Sequence, residues 1–234
     1  MPRRERLFVA GIPCHVIQRG HNRSACFNNE SDYIQYLKTL EEQADKNACD
    51  VHAYVLMTNH VHLLVTPGTV DSVSSLMKNL GQRYVQYFNR RYERSGSLWE
   101  GRFKSCITQT ESYVLACYRY IEMNPVRATM VKHPAEYRWS SYSINVGTKY
   151  SSLVTPHPSF LALGRTSSAR HANYEKLVGE YLDDDTVHRI RDATRGNAVF
   201  GSSKFEKEIL QTEKLRSKIP PGSDPGSDPG SDPD

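Results

Sequence analysis

Between residues 15 and 124 the apolar positions switch repeatedly between a two-residue and a roughly 3.6-residue period. Gly, Pro, Asn or Ser marks most of the switches. A chain patterned this way must pair short strands and cover them with helices. His15-Val16-Ile17-Gln18-Arg19 reads as a first strand, closed by Gly20 and the polar His21-Asn22-Arg23. Ser31 or Asn29 is placed to cap a helix over 32–46, where Tyr33, Tyr36, Leu37 and Leu40 recur at helical spacing. Strands at 51–57 and 60–66 follow, joined by a tight turn at Met57-Thr58-Asn59. A second helix spans 70–94 with Leu76, Leu80, Tyr84 and Phe88 as its buried stripe. A fourth strand covers 103–108. A third helix runs from 111 to 124, where Pro125 ends or kinks it.

The order is β-α-β-β-α-β-α. Without the last helix this is the split βαβ, or ferredoxin-like, arrangement, an α+β class. The expectation is an antiparallel sheet with helices on one face. The domain reading is one domain over 1–145, a Ser/Thr/Gly/Pro-rich connector at 146–158, and a small helical region at 159–217. Segments at 187–191 and 200–209 suit either a helix-turn-helix or a small structural bundle. The end repeats Gly-Ser-Asp-Pro three times (222–225, 226–229, 230–233), has no apolar residue to bury, and is expected to be disordered across 218–234.

Charge follows these divisions. Nineteen basic and 13 acidic side chains give residues 1–150 a net +6, whereas 151–217 carry +1 and the tail carries −3. A mildly basic front half suits a nucleic-acid partner. The five cysteines are odd in number and scattered, with no CxxC, which points to free thiols in a reducing cytoplasm. No apolar run approaches the roughly 18 residues of a membrane helix. MPRRERLF lacks the apolar segment of a secretory signal.

Two clusters carry chemistry. In His60-Val61-His62 the imidazoles share one strand face while Val61 and Leu63 face the other. Side chains roughly 7 Å apart along the strand can converge on one ion and leave positions open for substrate oxygens. From spacing alone, two histidines on a solvated strand face are the commoner arrangement. In the third helix Tyr120 and Asn124 are four apart and share a face. A tyrosine hydroxyl needs a cation or a base to act as nucleophile, and Asn124 offers a carbonyl oxygen as a third ligand. Tyr113 and Tyr118 compete for the role, and periodicity does not separate Tyr113 from Tyr120.

Met57-Thr58-Asn59-His60-Val61-His62-Leu63-Leu64 resembles the HUH motif of the single-tyrosine DNA transposases. Tyr120-Ile121-Glu122-Met123-Asn124-Pro125-Val126-Arg127 resembles their nucleophile helix. Segments 15–23, 98–105 and 139–142 are similar to further family segments, and the subgroup most resembled is the REP-associated tyrosine transposases. The resemblance spans about residues 5–145 in order. It implies Tyr120 as nucleophile, His60 and His62 as metal ligands with Asn124 as the third, and Mg²⁺ or Mn²⁺ as the ion. It also implies cleavage of single-stranded hairpin DNA at palindromic repeats through a 5′-phosphotyrosine, with no nucleotide cofactor, and a homodimer. The chain departs from the family at Thr58, where proline is usual, which alters turn stiffness rather than ligand chemistry. Basic side chains near these segments, Arg19, Arg23, Arg83, Arg90, Arg91, Arg94, Arg102 and Lys104, are the candidate DNA contacts. Two other readings remain at this level: a replication-initiator or relaxase nuclease, and a non-catalytic DNA-binding regulator derived from a transposase.

Overall fold

The computed structural model of the protein describes residues 6–216. The Gly-Ser-Asp-Pro repeats, and the disorder expected of them, lie outside the described residues. The chain divides into two compact units, one ending at Gly201 and the other beginning at Ser202.

The first unit opens with β1 (Cys14–Arg19), α1 (Glu30–Lys46), β2 (Cys49–Met57), β3 (His60–Pro67), α2 (Ser72–Arg91), β4 (Lys104–Thr108) and α3 (Ser112–Glu122). β3 lies between β1 and β2 and is antiparallel to both, and β1 pairs antiparallel with β4. This is the split βαβ connection read from the sequence. α1 and α2 bury Tyr36, Leu40, Leu76, Leu80, Tyr84 and Phe88 on the sheet face carrying Val16, Val61 and Leu63. Asp32 locks this layer. Fully buried, it accepts hydrogen bonds from the Asn28 and Asn29 backbone N–H groups at 2.8 and 3.2 Å. It also accepts from the hydroxyls of Tyr87 and Tyr92, so the start of α1 is tied to the end of α2.

Helices cover both faces, not one as expected. After α4 (Asn124–Arg127) and α5 (Tyr142–Asn145) come α6 (Pro158–Leu161), α7 (Ser167–Gly179), α8 (Asp184–Gly196) and β5 (Val199–Phe200). With α3 they enclose Ala53, Val55, Met57, Leu64 and Cys106 on the second face. The reason is visible in β2 and β3, which are buried along both faces, so a single helical layer leaves half their apolar side chains in water.

The boundary placed at 146–158 is likewise not where the chain divides. Val154 bridges to Val51 beside β2, and β5 adds a parallel strand to β4, giving the order β2-β3-β1-β4-β5. α8 buries Val187, Ile190 and Thr194 within this first unit. A buried carboxylate binds the second layer together. Glu122 of α3 accepts hydrogen bonds from Ser141, Asn145 and Tyr174 at 2.5, 2.7 and 2.6 Å, and burial pushes its carboxyl up to about 7. The second unit contributes α9 (Ser203–Arg216), whose first turn is capped by Ser202 Oγ accepting from Phe205 N–H.

Candidate active site

The site sits where β1 and β3, the two inner strands beside the β2–β3 turn, meet α3. Arg19 pairs with His60 and Ile17 with His62 across the ladder, so these four residues share one face. On that face a pocket of about 760 Å³ is lined by His15, His60, His62, Tyr120 and Asn124. Its remaining wall carries Arg6, Arg19, Arg102, Lys104, Arg191 and Arg195 against one carboxylate, Glu100. Six cations against one anion make a strongly positive cavity suited to a polyanion.

Hydrogen bonds define which histidine nitrogens are available. His60 Nδ1 lies 2.6 Å from Asn59 Oδ1, an oxygen that only accepts, so Nδ1 carries the proton and Nε2 is left with its lone pair. Asn59 is itself fixed by its Nδ2, which donates to the Arg23 carbonyl at 3.0 Å. His62 Nδ1 lies 2.7 Å from Nε2 of the buried His15. The His60 and His62 rings are 5.1 Å apart between centroids and set at 75°. Burial, then Arg19, pulls His60 down to about 4, and burial, reinforced by His15 and His60, holds His62 well below the ordinary range. Both imidazoles are therefore neutral at neutral pH, the state a metal ion requires.

The ring of Tyr120 stands edge-on to His62 at 5.7 Å and to His15 at 5.6 Å. Arg127 lies over the same ring, Cζ 4.4 Å from its centroid, and its guanidinium donates to the Tyr120 carbonyl. Of the other two tyrosines, Tyr113 packs on Phe200, and the buried Tyr118 stacks on Phe160. Asn124 follows the break at Met123 that Pro125 enforces. Its Nδ2 donates to the Tyr120 and Ile121 carbonyls at 2.9 and 3.3 Å, which leaves Oδ1 as the amide atom available to a ligand.

A divalent ion fits this donor set: the His60 Nε2 lone pair, the His62 imidazole and the Asn124 amide oxygen, all lining one pocket. Among the described residues no group of three His, Cys, Asp or Glu is arranged to hold a metal, in keeping with a set that has only two such side chains.

The structure thus brings together His60, His62, Tyr120, Asn124, Arg19, Arg102 and Lys104. It does not bring Arg83, Arg90, Arg91 and Arg94 to them, because these belong to α2 and its C-terminal end, packed on the opposite sheet face. Arg83 pairs with Glu42 at 3.4 Å, and Arg91 lies 3.7 Å from Asp32. Arg23 contributes its carbonyl to Asn59 and is not part of the pocket wall. Sequence reasoning passed over His15, Asn59, Arg127, Thr194, Arg191 and Arg195. For His15 a signal existed, since it lies four residues before Arg19 on the same strand face.

The sequence pattern of the IS200-like transposases matches residues 8–124. The chain belongs to the IS200-like transposase family. A transposase acts on DNA, and the cationic pocket is in keeping with that. Among solved structures, a REP-associated tyrosine transposase bound to a REP hairpin shares the fold, with a TM-score of 0.54 at 17% identity, over 68% of this chain and 96% of that one. A chain from Deinococcus radiodurans, assigned provisionally as a transposase, aligns at 20% identity with a TM-score of 0.36, over 58% of this chain and 98% of that one. No curated protein matches the chain.

Proposed function

We propose that the protein is a metal-dependent single-strand DNA endonuclease and strand transferase with Tyr120 as nucleophile. The observation that carries this is the convergence of Tyr120, His62 and His60, the last with its Nε2 free, inside a cationic pocket. His60, His62 and Asn124 would hold Mg²⁺ or Mn²⁺, which when bound polarises the scissile phosphate. Tyr120 oxygen attacks phosphorus, the bond to the 3′ oxygen breaks, and the phenolic proton is passed on as that oxygen leaves as a 3′-OH. The 5′ end stays on Tyr120 as a phosphodiester, and attack by another 3′-OH reverses the step and joins strands. Bond energy is conserved throughout, so no nucleotide cofactor is required.

The reading extends to hairpin DNA, supported by the shared fold with a transposase solved on a REP hairpin, and to a homodimer, which sedimentation of the purified protein tests. Five buried free thiols suit a reducing cytoplasm, and among the described residues no helix is long and apolar enough to cross a membrane.

The test is incubation of a labelled single-stranded hairpin with protein and Mg²⁺ or Mn²⁺. A covalent protein–DNA adduct forms, and Tyr120→Phe abolishes it. An adduct that survives Tyr120→Phe but disappears in Tyr113→Phe overturns the assignment, and cleavage indifferent to divalent ions overturns the metal.

A further inference from the structure

His15 is buried at the centre of the sheet, with both ring nitrogens engaged. Its Nδ1 is 3.0 Å from Thr194 Oγ1 of α8, and its Nε2 is 2.7 Å from His62 Nδ1. The proton direction along this row is decided at its far end. Thr194 donates its one hydroxyl proton to the Ile190 carbonyl one helical turn back, at 2.7 Å, so toward His15 and toward the Cys106 thiol at 3.3 Å its oxygen accepts. His15 therefore carries its proton on Nδ1 and presents the Nε2 lone pair to His62. His62 must then donate from Nδ1, which empties Nε2. The opposite arrangement places a proton on His62 Nε2 and leaves His15 Nδ1 buried against an oxygen with no proton to give.

We propose that His15, oriented by Thr194, is a positioning residue that holds His62 in the tautomer whose Nε2 can ligate a divalent ion. This rests on the metal reading above and adds a residue pair to it. His60 is served locally, by Asn59 next to it in sequence. His62 has no such neighbour, and its partner is set by a threonine 179 residues from His15 in the chain. Thr194 also lies 70 positions beyond the end of the family match at residue 124. The helical segment after the nucleophile helix thereby becomes part of the metal site without supplying a ligand. Hydrogen-bond partners of metal-bound histidines usually act in this way, fixing tautomer and ring orientation.

The substitutions Thr194→Val and Thr194→Ser separate a hydrogen-bonding role from packing. Valine keeps the shape and removes the acceptor, whereas serine keeps the oxygen. Two readouts apply to the full chain. In the metal-free protein, nitrogen-15 spectra of the histidine rings should show His62 protonated on Nδ1 in the wild type and in Thr194→Ser, and a mixed tautomer in Thr194→Val. Titration with Mn²⁺ alone should show binding about tenfold weaker in Thr194→Val, 10- to 100-fold weaker in His15→Phe, and near wild type in Thr194→Ser. Equal Mn²⁺ affinity across all variants overturns the proposal, as does a wild-type His62 protonated on Nε2. If the wild type binds no Mn²⁺, the metal reading falls and this proposal with it. Binding by the wild type with no loss in Thr194→Val removes the positioning role alone.

Discussion

At the scale of single residues, the surroundings of the proposed nucleophile matter as much as its identity. Tyr120 is buried among His15, His62 and Arg127, and in the proposed reaction its phenol loses its proton as the bond to phosphorus forms. Burial pulls Arg127 down to about 10, so it remains a cation at neutral pH. A cation over an aromatic face is held by the ring's negative π-cloud, and the attraction grows as the phenol becomes a phenolate. Arg127→Met should therefore slow adduct formation under single-turnover conditions by roughly tenfold, the equivalent of about 1–2 kcal/mol of a partly desolvated cation–π contact. Arg127→Lys should fall between the two, because lysine keeps the charge and loses the planar stacking. Unchanged rates in Arg127→Met, with the fold intact by circular dichroism, would show that the guanidinium only packs.

At the scale of elements, α3 is held in register by what packs behind it. Tyr118 stacks on Phe160 of the short α6, and α6 depends on its cap, the Nδ1 of His157 accepting from Ser159 N–H at 3.0 Å. A protonated His157 cannot accept that bond, and it would place a charge beside His52, whose ring is 5.0 Å away. Burial, with His52 adding to it, pulls His157 down to about 4 from an ordinary value near 6.5. The folded-state value is the lower one. The contribution is therefore complete above pH 6.5 and is lost as pH falls toward 4. Between pH 7 and pH 5 the loss is about 2 kcal/mol. Asparagine caps as well and does not titrate, so the drop in melting temperature between pH 7 and pH 5 should shrink in His157→Asn. An identical drop in the two proteins would assign the acid sensitivity elsewhere. None of this was legible in the sequence, where 146–158 reads as a connector. The elements that carry the proposed ligands were legible, because alternation and helical spacing show in β3 and α3 directly. The second helical layer was not, because a strand buried on both faces loses the alternation that would announce it. His15 shares a strand face with Arg19 and could have been read. Thr194 could not, since its role depends on the way α8 returns to the sheet.

At the scale of the whole molecule, positive charge is sorted by sheet face. Arg19, Arg102, Lys104, Arg191 and Arg195 border the pocket, whereas the arginines of α2 and its end belong to the layer behind the sheet. Several of those are already occupied: Arg83 by Glu42, Arg91 by Asp32, and Arg94 by the Ser97 carbonyl and the Phe88 ring. A single strand entering the pocket releases counterions from each phosphate that a lysine or arginine neutralises, and affinity falls with salt in proportion to their number. Replacing Arg191 and Arg195 with glutamine should then weaken binding of a single-stranded hairpin roughly tenfold at low salt. It should also flatten the plot of log affinity against log salt by about 0.7 for each phosphate contact removed. The matching pair on the other face, Arg83→Gln with Arg90→Gln, should leave both affinity and slope close to wild type. The measurement is a salt series of equilibrium binding with the two double variants side by side. If the α2 pair lowers the slope as much as the α8 pair, the DNA wraps past the edge of the sheet and the pocket is not its main electrostatic anchor.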